Sequence, residues 1–197
     1  MPPARLARWV SGFEERHGAF STLAEAALVT LTAADGACAF VEVPFAPLTG
    51  DLVEHVSRER RVGVLLVRKG GHAAGVFVGS ELVSSKVGSR QVQGRTAAGG
   101  WSQQRYARRR EGQAAVASEA AADVAVRILV GPLDGVVTGG DRAAVEAVLA
   151  DSRLSSLRPL VSPRLLDVPD PRLAVLKAVP FRDVWIRVVD PVDPVAP

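Results

Sequence analysis

Cysteine occurs once in the 197 residues, at Cys38. A single thiol excludes an intramolecular disulfide and any zinc site built from several thiolates. Cys38 lies in an apolar stretch and reads as a core residue. The three histidines, His17, His55 and His72, are scattered and lack the spacing of metal ligands. Each is therefore expected to be structural, and neither a metal nor a cofactor is expected. No run approaches the ~20 apolar residues of a membrane span. The opening Met1-Pro2-Pro3-Ala4-Arg5 also lacks the apolar core of a signal peptide. A cytoplasmic location with no membrane contact is the expectation. Hydrophobic residues are plentiful, 48% of the chain and mostly Ala, Val and Leu. That suffices for a real core and is too much for global disorder. The length suits one domain, or one domain with a small appendage.

Acidic residues are missing where basic ones collect. Residues 82–110 hold Lys86, Arg90, Arg95, Arg105, Arg108, Arg109 and Arg110 and no Asp or Glu. The chain has 24 Lys and Arg against 21 Asp and Glu, so outside this segment acids outnumber bases. All the excess positive charge thus sits in one stretch, as expected of a polyanion-facing patch on a mildly acidic body. A solvated basic loop of no consequence is the plainer account of the same residues.

Hydrophobic spacing places the elements. Leu6, Trp9, Val10 and Phe13 recur at helical intervals. Residues 21–31 fit helix or strand, and Cys38–Phe45 fits a strand ended by Pro44 and Pro47. Val62–Val67 is a continuous apolar run of the kind buried on both faces of a sheet. Gly75–Val78, a Gly79-Ser80 turn and the alternating stretch around Val83, Ser85 and Val87 extend it into three antiparallel strands. A helix is expected from Ser102, a suitable N-cap, to about Ala122. Tyr106, Ala107, Ala114, Ala117 and Ala121 share one arc of roughly 100° on it. Arg105, Arg108 and Arg109 fall on the opposite side, and Arg110 falls towards the apolar arc, where it would snorkel. Val124–Val130 reads as another buried strand, closed by Gly131-Pro132, and Asp141–Leu149 as a short helix after Gly139-Gly140. Three strands, a helix, a strand and a helix is the order of an RNase H-like α/β domain, a mixed sheet with packed helices. The resulting division is an N-terminal extension packed on the core over 1–60, the core over 61–158, and a C-terminal extension over 159–197. That last part holds one strand, Val184–Val189, and a flexible Pro/Val/Asp tail.

The segment between the third strand and the long helix has unusual chemistry. Its consecutive glycines, Gly99 and Gly100, allow close approach to another surface without Cβ clashes. Its arginines supply phosphate contacts. It offers no His, Cys or carboxylate; its polar groups are Thr96, Ser102, Gln103, Gln104 and backbone amides. General-base or metal-assisted hydrolysis by this segment alone is therefore excluded. Positioning remains: an amide can orient a water and stabilise developing charge while a bound RNA supplies the rest.

The stretch Lys86–Arg110, and within it Gly94-Arg95-Thr96-Ala97-Ala98-Gly99-Gly100-Trp101-Ser102-Gln103-Gln104-Arg105-Tyr106-Ala107-Arg108-Arg109-Arg110, resembles the signature of the Vms-like release factors. The likeness is to their actinobacterial peptidyl-tRNA hydrolase branch, and it is specific over residues 62–131. It implies an RNase H-like fold of the release-factor catalytic-domain type, with a glutamine-bearing loop, here 90–104, between a strand and a helix. It also implies a ribosome-associated hydrolase, with large-subunit rRNA and peptidyl-tRNA as partners. The enzyme would cleave the peptide–tRNA ester and free stalled nascent chains. By position, Gln103 matches the catalytic glutamine, Gly99 and Gly100 the glycines before it, and Ser102 the residue that precedes it in relatives ending Gly-Ser-Gln. Arg90, Arg95, Arg105, Arg108 and Arg109 would contact RNA. Trp101 would stack on a base or fold back onto its own domain. The departure is that Trp101 and Ser102 separate the glycines from Gln103, which leaves Gln104 as a rival. A monomer is expected.

Two other readings compete. An RNase H-like fold invites comparison with nucleases, but two-metal cleavage needs carboxylates on the central strands. The segments 62–67, 73–78 and 82–88 have none, and Asp123 is the only acid beside a core strand. A non-catalytic RNA- or ribosome-binding module, with Gln103 a mere polar contact, is the stronger rival. Release from free peptidyl-tRNA is disfavoured, because the loop has no acid or base of its own.

Overall fold

The computed structural model describes residues 1–68, 71–89 and 102–191, with only the helical backbone over 102–111. The chain forms two units, Met1–Arg58 with Pro180–Pro197, and Glu59–Val179. Each has its own hydrophobic core. Residues 159–197, grouped as one extension on sequence, are thus shared between the two units. The terminal Pro/Val/Asp stretch, 192–197, lies outside the described residues.

In the first unit, α1 (Leu6–His17) buries Leu6 and Phe13 completely, as its apolar spacing requires. They meet a four-stranded antiparallel sheet in the order β1-β2-β3-β9. Its strands are β1 (Phe20–Ala24), β2 (Leu28–Ala33), β3 (Cys38–Glu42) and β9 (Trp185–Val189). Residues 21–31, ambiguous on sequence, are therefore strand. Period-2 alternation puts Val29, Leu31, Ala39 and Val41 on the buried face. The short helix α2 (Leu52–Ser57) starts at Asp51, whose carboxylate accepts from the amides of Val53 and Glu54. His55 on α2 is buried and structural. Its Nδ1 accepts from the Thr49 amide at 3.1 Å, and its Nε2 lies 2.9 Å from the Pro44 carbonyl, so one tautomer serves both.

The second unit is built on β4 (Arg61–Arg68), where Val62 to Val67 are all buried. β5 (Gly71–Val78) and β6 (Glu81–Ser89) follow as antiparallel strands. After α3 (Ser102–Ile128), β7 (Gly135–Gly140) returns parallel to β4. α4 (Arg142–Leu149), capped by Asp141, and a 3-10 stretch (Ser152–Leu160) lead to β8 (Val161–Leu166), parallel to β7. The small helix α5 (Leu173–Ala178) closes the unit. The strand order β6-β5-β4-β7-β8, with three antiparallel strands followed by two parallel ones, is the RNase H-like arrangement. The mixed α/β fold is as expected.

One element differs. Val124–Val130 is not a strand; α3 runs through it to Ile128, and the strand parallel to β4 is Gly135–Gly140. A short apolar run has no period of its own that separates a strand from a buried helix. Here Ala121, Ala125 and Leu129, four residues apart, form the buried stripe, together with Ala122. They pack with Leu65, Val76 and Val136 of the sheet. Small side chains on this stripe let the helix lie close to the strands.

Candidate functional site

β6 ends at Ser89 and α3 begins at Ser102, so the proposed glutamine loop spans the gap between an edge strand and the longest helix. Arg90, Arg95, Gly99, Gly100 and Trp101 lie outside the described residues. Ser102, Gln103, Gln104, Arg105, Arg108 and Arg109 belong to the opening turns of α3, and their side chains lie outside the description too. The helix start at Ser102 agrees with the sequence.

The helix is longer than the sheet it crosses. At about 1.5 Å per residue, its 27 residues reach about 40 Å, against about 30 Å for the nine residues of β6. Burial among its described residues is greatest in the C-terminal half. Ala121, Ala122 and Ala125 are buried. Ala114, two turns before Ala121 on the same stripe, is exposed, as are Gly112, Ala115 and Val116. Among the described residues of α3, full burial thus begins only at Ala121. The C-terminal half is held firmly. Besides its apolar stripe, Asp123 on α3 accepts from the Arg153 guanidinium at 2.8 Å, and Arg153 also grips Asp151 at 2.6 Å. The hydrogen bonds that Asp151 accepts from the Arg153 guanidinium, and then from the Arg153 amide, pull its carboxyl down to about 2.

The strand side of the loop base has a residue that the sequence left aside. His72, at the start of β5, is paired with Gly88 of β6 and is only 5% exposed. Its ring occupies the space that a side chain at position 88 would need: a Cβ there would stand 2.8 Å from the ring Cε1. Gly88 thus lets an imidazole pack directly on the strand one residue before it ends. The Gly79-Ser80 hairpin is the signal that could have brought these residues together, but a bulge at Val76/Phe77 shifts the register by one. Nearby, the Arg68 guanidinium donates to the Val168 carbonyl at 2.7 Å, while Lys86 stays exposed.

Charge separates along the same lines. Residues 59–179 hold 18 Lys and Arg against 11 Asp and Glu, so the unit bearing the loop is the basic one. Among the described residues, no three His, Cys, Asp or Glu side chains are placed to share a metal ion. Nor, among them, is any helix long and apolar enough to cross a membrane.

Residues 60–189 match the family model described as the Actinobacteria/chloroflexi VLRF1 release factor. The chain belongs to this family. Membership in a release-factor family is what the Lys86–Arg110 signature led one to expect. No curated protein matches the chain. Among solved structures, it is similar to an archaeal translation termination factor, aRF1, with 18% identity and a TM-score of 0.42 over 79% of this chain and 48% of that one. A second, described only as an archaeal protein, has 19% identity and a TM-score of 0.41 over 75% and 47%. The VLRF1-family chain thus spans about half the length of the solved structures it matches.

Proposed function

We propose that this VLRF1-family protein is a peptidyl-tRNA hydrolase that acts on the large ribosomal subunit, with Gln103 as the catalytic residue. The observation that supports this most is the place of Gln103 in the first turn of α3, after the segment that follows edge strand β6, in the basic unit of the chain. A glutamine in the opening turn of an arginine-rich helix is suited to work in an RNA-walled site. Gly99 and Gly100 would let the backbone before it approach RNA closely. Arg90, Arg95, Arg105, Arg108 and Arg109 would hold phosphates, and Trp101 a base.

The chemistry is water attack on the ester carbonyl. The acyl–oxygen bond breaks, the hydroxyl joins the peptide as its carboxyl group, and a proton passes to the departing ribose oxygen. Gln103 contributes by holding the water and by donating to charge that builds on oxygen in the transition state. It has no titratable group, so RNA and substrate must carry the proton. That requirement is why the ribosome-bound ester, not free peptidyl-tRNA, is the proposed substrate.

The test compares wild type, Gln103→Ala and Gln104→Ala on large subunits carrying a stalled peptidyl-tRNA, with free tRNA measured against time and binding by co-sedimentation. Release should vanish in Gln103→Ala with binding retained, and persist in Gln104→Ala. Loss in Gln104→Ala alone would move the catalytic role by one residue. Firm, salt-sensitive binding with no release by wild type would leave a ribosome-binding module.

A further inference from the structure

Arg68 closes β4, the central strand of the second unit, at the end of the sheet where β6 also ends. The register sets Arg68, Gly71 and Ser89 in one row across β4, β5 and β6. With neighbouring strands about 4.8 Å apart, the Arg68 backbone stands about 10 Å from that of Ser89. Its side chain runs the other way. The stem lies against Gly140, where a Cβ would come within 2.9 Å of the Arg68 Cγ. The guanidinium donates to the Val168 carbonyl at 2.7 Å, just past the end of β8. Arg68 is thus laid across the carboxyl ends of the parallel strands β4, β7 and β8, the side on which open α/β sheets bind their ligands.

What holds the guanidinium decides what charge it presents. A carboxylate partner would cancel that charge; a backbone carbonyl fixes the fork and leaves the charge whole. Three acids flank these strand ends in the sequence, Asp141, Asp167 and Asp170. Asp141 caps α4 by accepting from the Ala143 amide at 3.2 Å, and the other two are exposed. The ion pairs among the described residues join Met1 to Asp183, His17 to Asp35, and Arg153 to Asp123 and Asp151, so none of the three acids pairs with Arg68. Arg68 is exposed, and Val168 is its one hydrogen-bond partner among the described residues.

We propose that Arg68 binds a backbone phosphate of RNA, a contact outside the basic segment 82–110. The proposal rests on the reading of this chain as a protein that works on the large ribosomal subunit. A planar fork matches two phosphate oxygens at once, which a lysine cannot do. A long side chain also loses rotamer freedom when it binds, and the Gly140 contact and the Val168 bond have removed much of that freedom beforehand. The phosphate belongs to rRNA or to the peptidyl-tRNA, which offer the same chemistry.

The test is binding to large subunits, empty or carrying a stalled peptidyl-tRNA, followed by co-sedimentation at several salt concentrations. Wild type, Arg68→Lys and Arg68→Gln are compared. Neither replacement reproduces the fork held at Val168, and only lysine keeps the charge. The slope of log affinity against log salt should be shallower by about 0.7–1 in Arg68→Gln, the share of one neutralised phosphate, and unchanged in Arg68→Lys. A partly unfolded preparation lowers apparent affinity equally at every salt concentration and leaves the slope alone, so misfolding does not imitate this result. A shallower slope on both kinds of subunit assigns the phosphate to rRNA; one on loaded subunits alone assigns it to peptidyl-tRNA. Equal slopes for all three proteins overturn the proposal, and Arg68 is then only a fastening for the segment after β8. A slope that falls equally in both variants overturns it too, because the loss then follows the bond to Val168 and not the charge. Release is read separately: wild type that binds but releases nothing sinks the hydrolase and leaves the Arg68 contact standing, whereas wild type that does not bind subunits sinks both.

Discussion

Replacing Gly88 by alanine should destabilise the protein, and the size of the effect follows from the ring it would strike. The added methyl would lie 2.8 Å from Cε1 and 3.2 Å from Cδ2 of His72, well inside van der Waals contact. His72 is buried, so its ring cannot swing freely into solvent. Forcing an extra carbon into a packed site costs about 1–3 kcal/mol. Against this, alanine in a strand interior is better than glycine by about 0.5–1 kcal/mol, chiefly through the unfolded chain. The net loss is then up to about 2.5 kcal/mol, which lowers the melting temperature by up to about 10 °C for a chain of this size. His72→Ala empties the space, so Gly88→Ala made in that background should instead stabilise by about 0.5–1 kcal/mol. The four proteins of this cycle can be compared by denaturant unfolding. A change of sign between backgrounds, with a coupling of about 1–3 kcal/mol, is the expected result. If Gly88→Ala has the same sign in both backgrounds, the ring does not occupy that space and the loop base has been misread.

Two further outcomes follow from the second unit. Gly140→Ala should cost more than Gly88→Ala, because Gly140 has φ +103° and its Cβ would collide with the Val67 carbonyl, a backbone group that cannot rotate away; the loss should appear as a lower melting temperature or as failure to accumulate soluble protein. Asp151 is held at about 2 in the folded protein, against an ordinary 3.8, so its contribution is complete above about pH 4 and is lost as pH falls through about 2. Unfolding free energy measured from pH 5 down to pH 2 should therefore drop less steeply in Asp151→Asn than in wild type.

The parts of the fold that were legible are those whose pattern is local. The run Val62–Val67, the hairpin at Gly79-Ser80 and the helix start at Ser102 each declare themselves within a few residues, and all agree with the structure. β7 was hidden because its sequence, Gly-Val-Val-Thr-Gly-Gly, reads as turn; Gly139 is small because Leu66 and the Leu166 backbone press on it from either side. β8 was hidden by Pro163, which is tolerated because β8 is an edge strand. The end of α3 was misread because Val124–Val130 contains mostly β-branched and aliphatic residues, while the alanines that declare the helix face look featureless. At the candidate site, the basic segment and Gln103 were visible in the sequence as a motif. Where α3 meets the sheet was not, since that depends on which of its alanines are buried. The His72–Gly88 contact was invisible too, because one bulge decides which residue faces the ring.

The pairing of β3 with β9 sets an order of events during the protein's own synthesis. Glu42 waits for Trp185, about 140 residues later, which at about 5–20 residues per second is roughly 7–30 s. Throughout that interval the outer edge of β3, from Cys38 to Glu42, has unpaired backbone groups and no lawful neighbour. The intervening RNase H-like unit contains every strand of its own sheet and can close first. The first unit is thus begun early and finished last, and its half-built sheet is the moment at which a nascent chain of this protein is most exposed to pairing with the wrong strand.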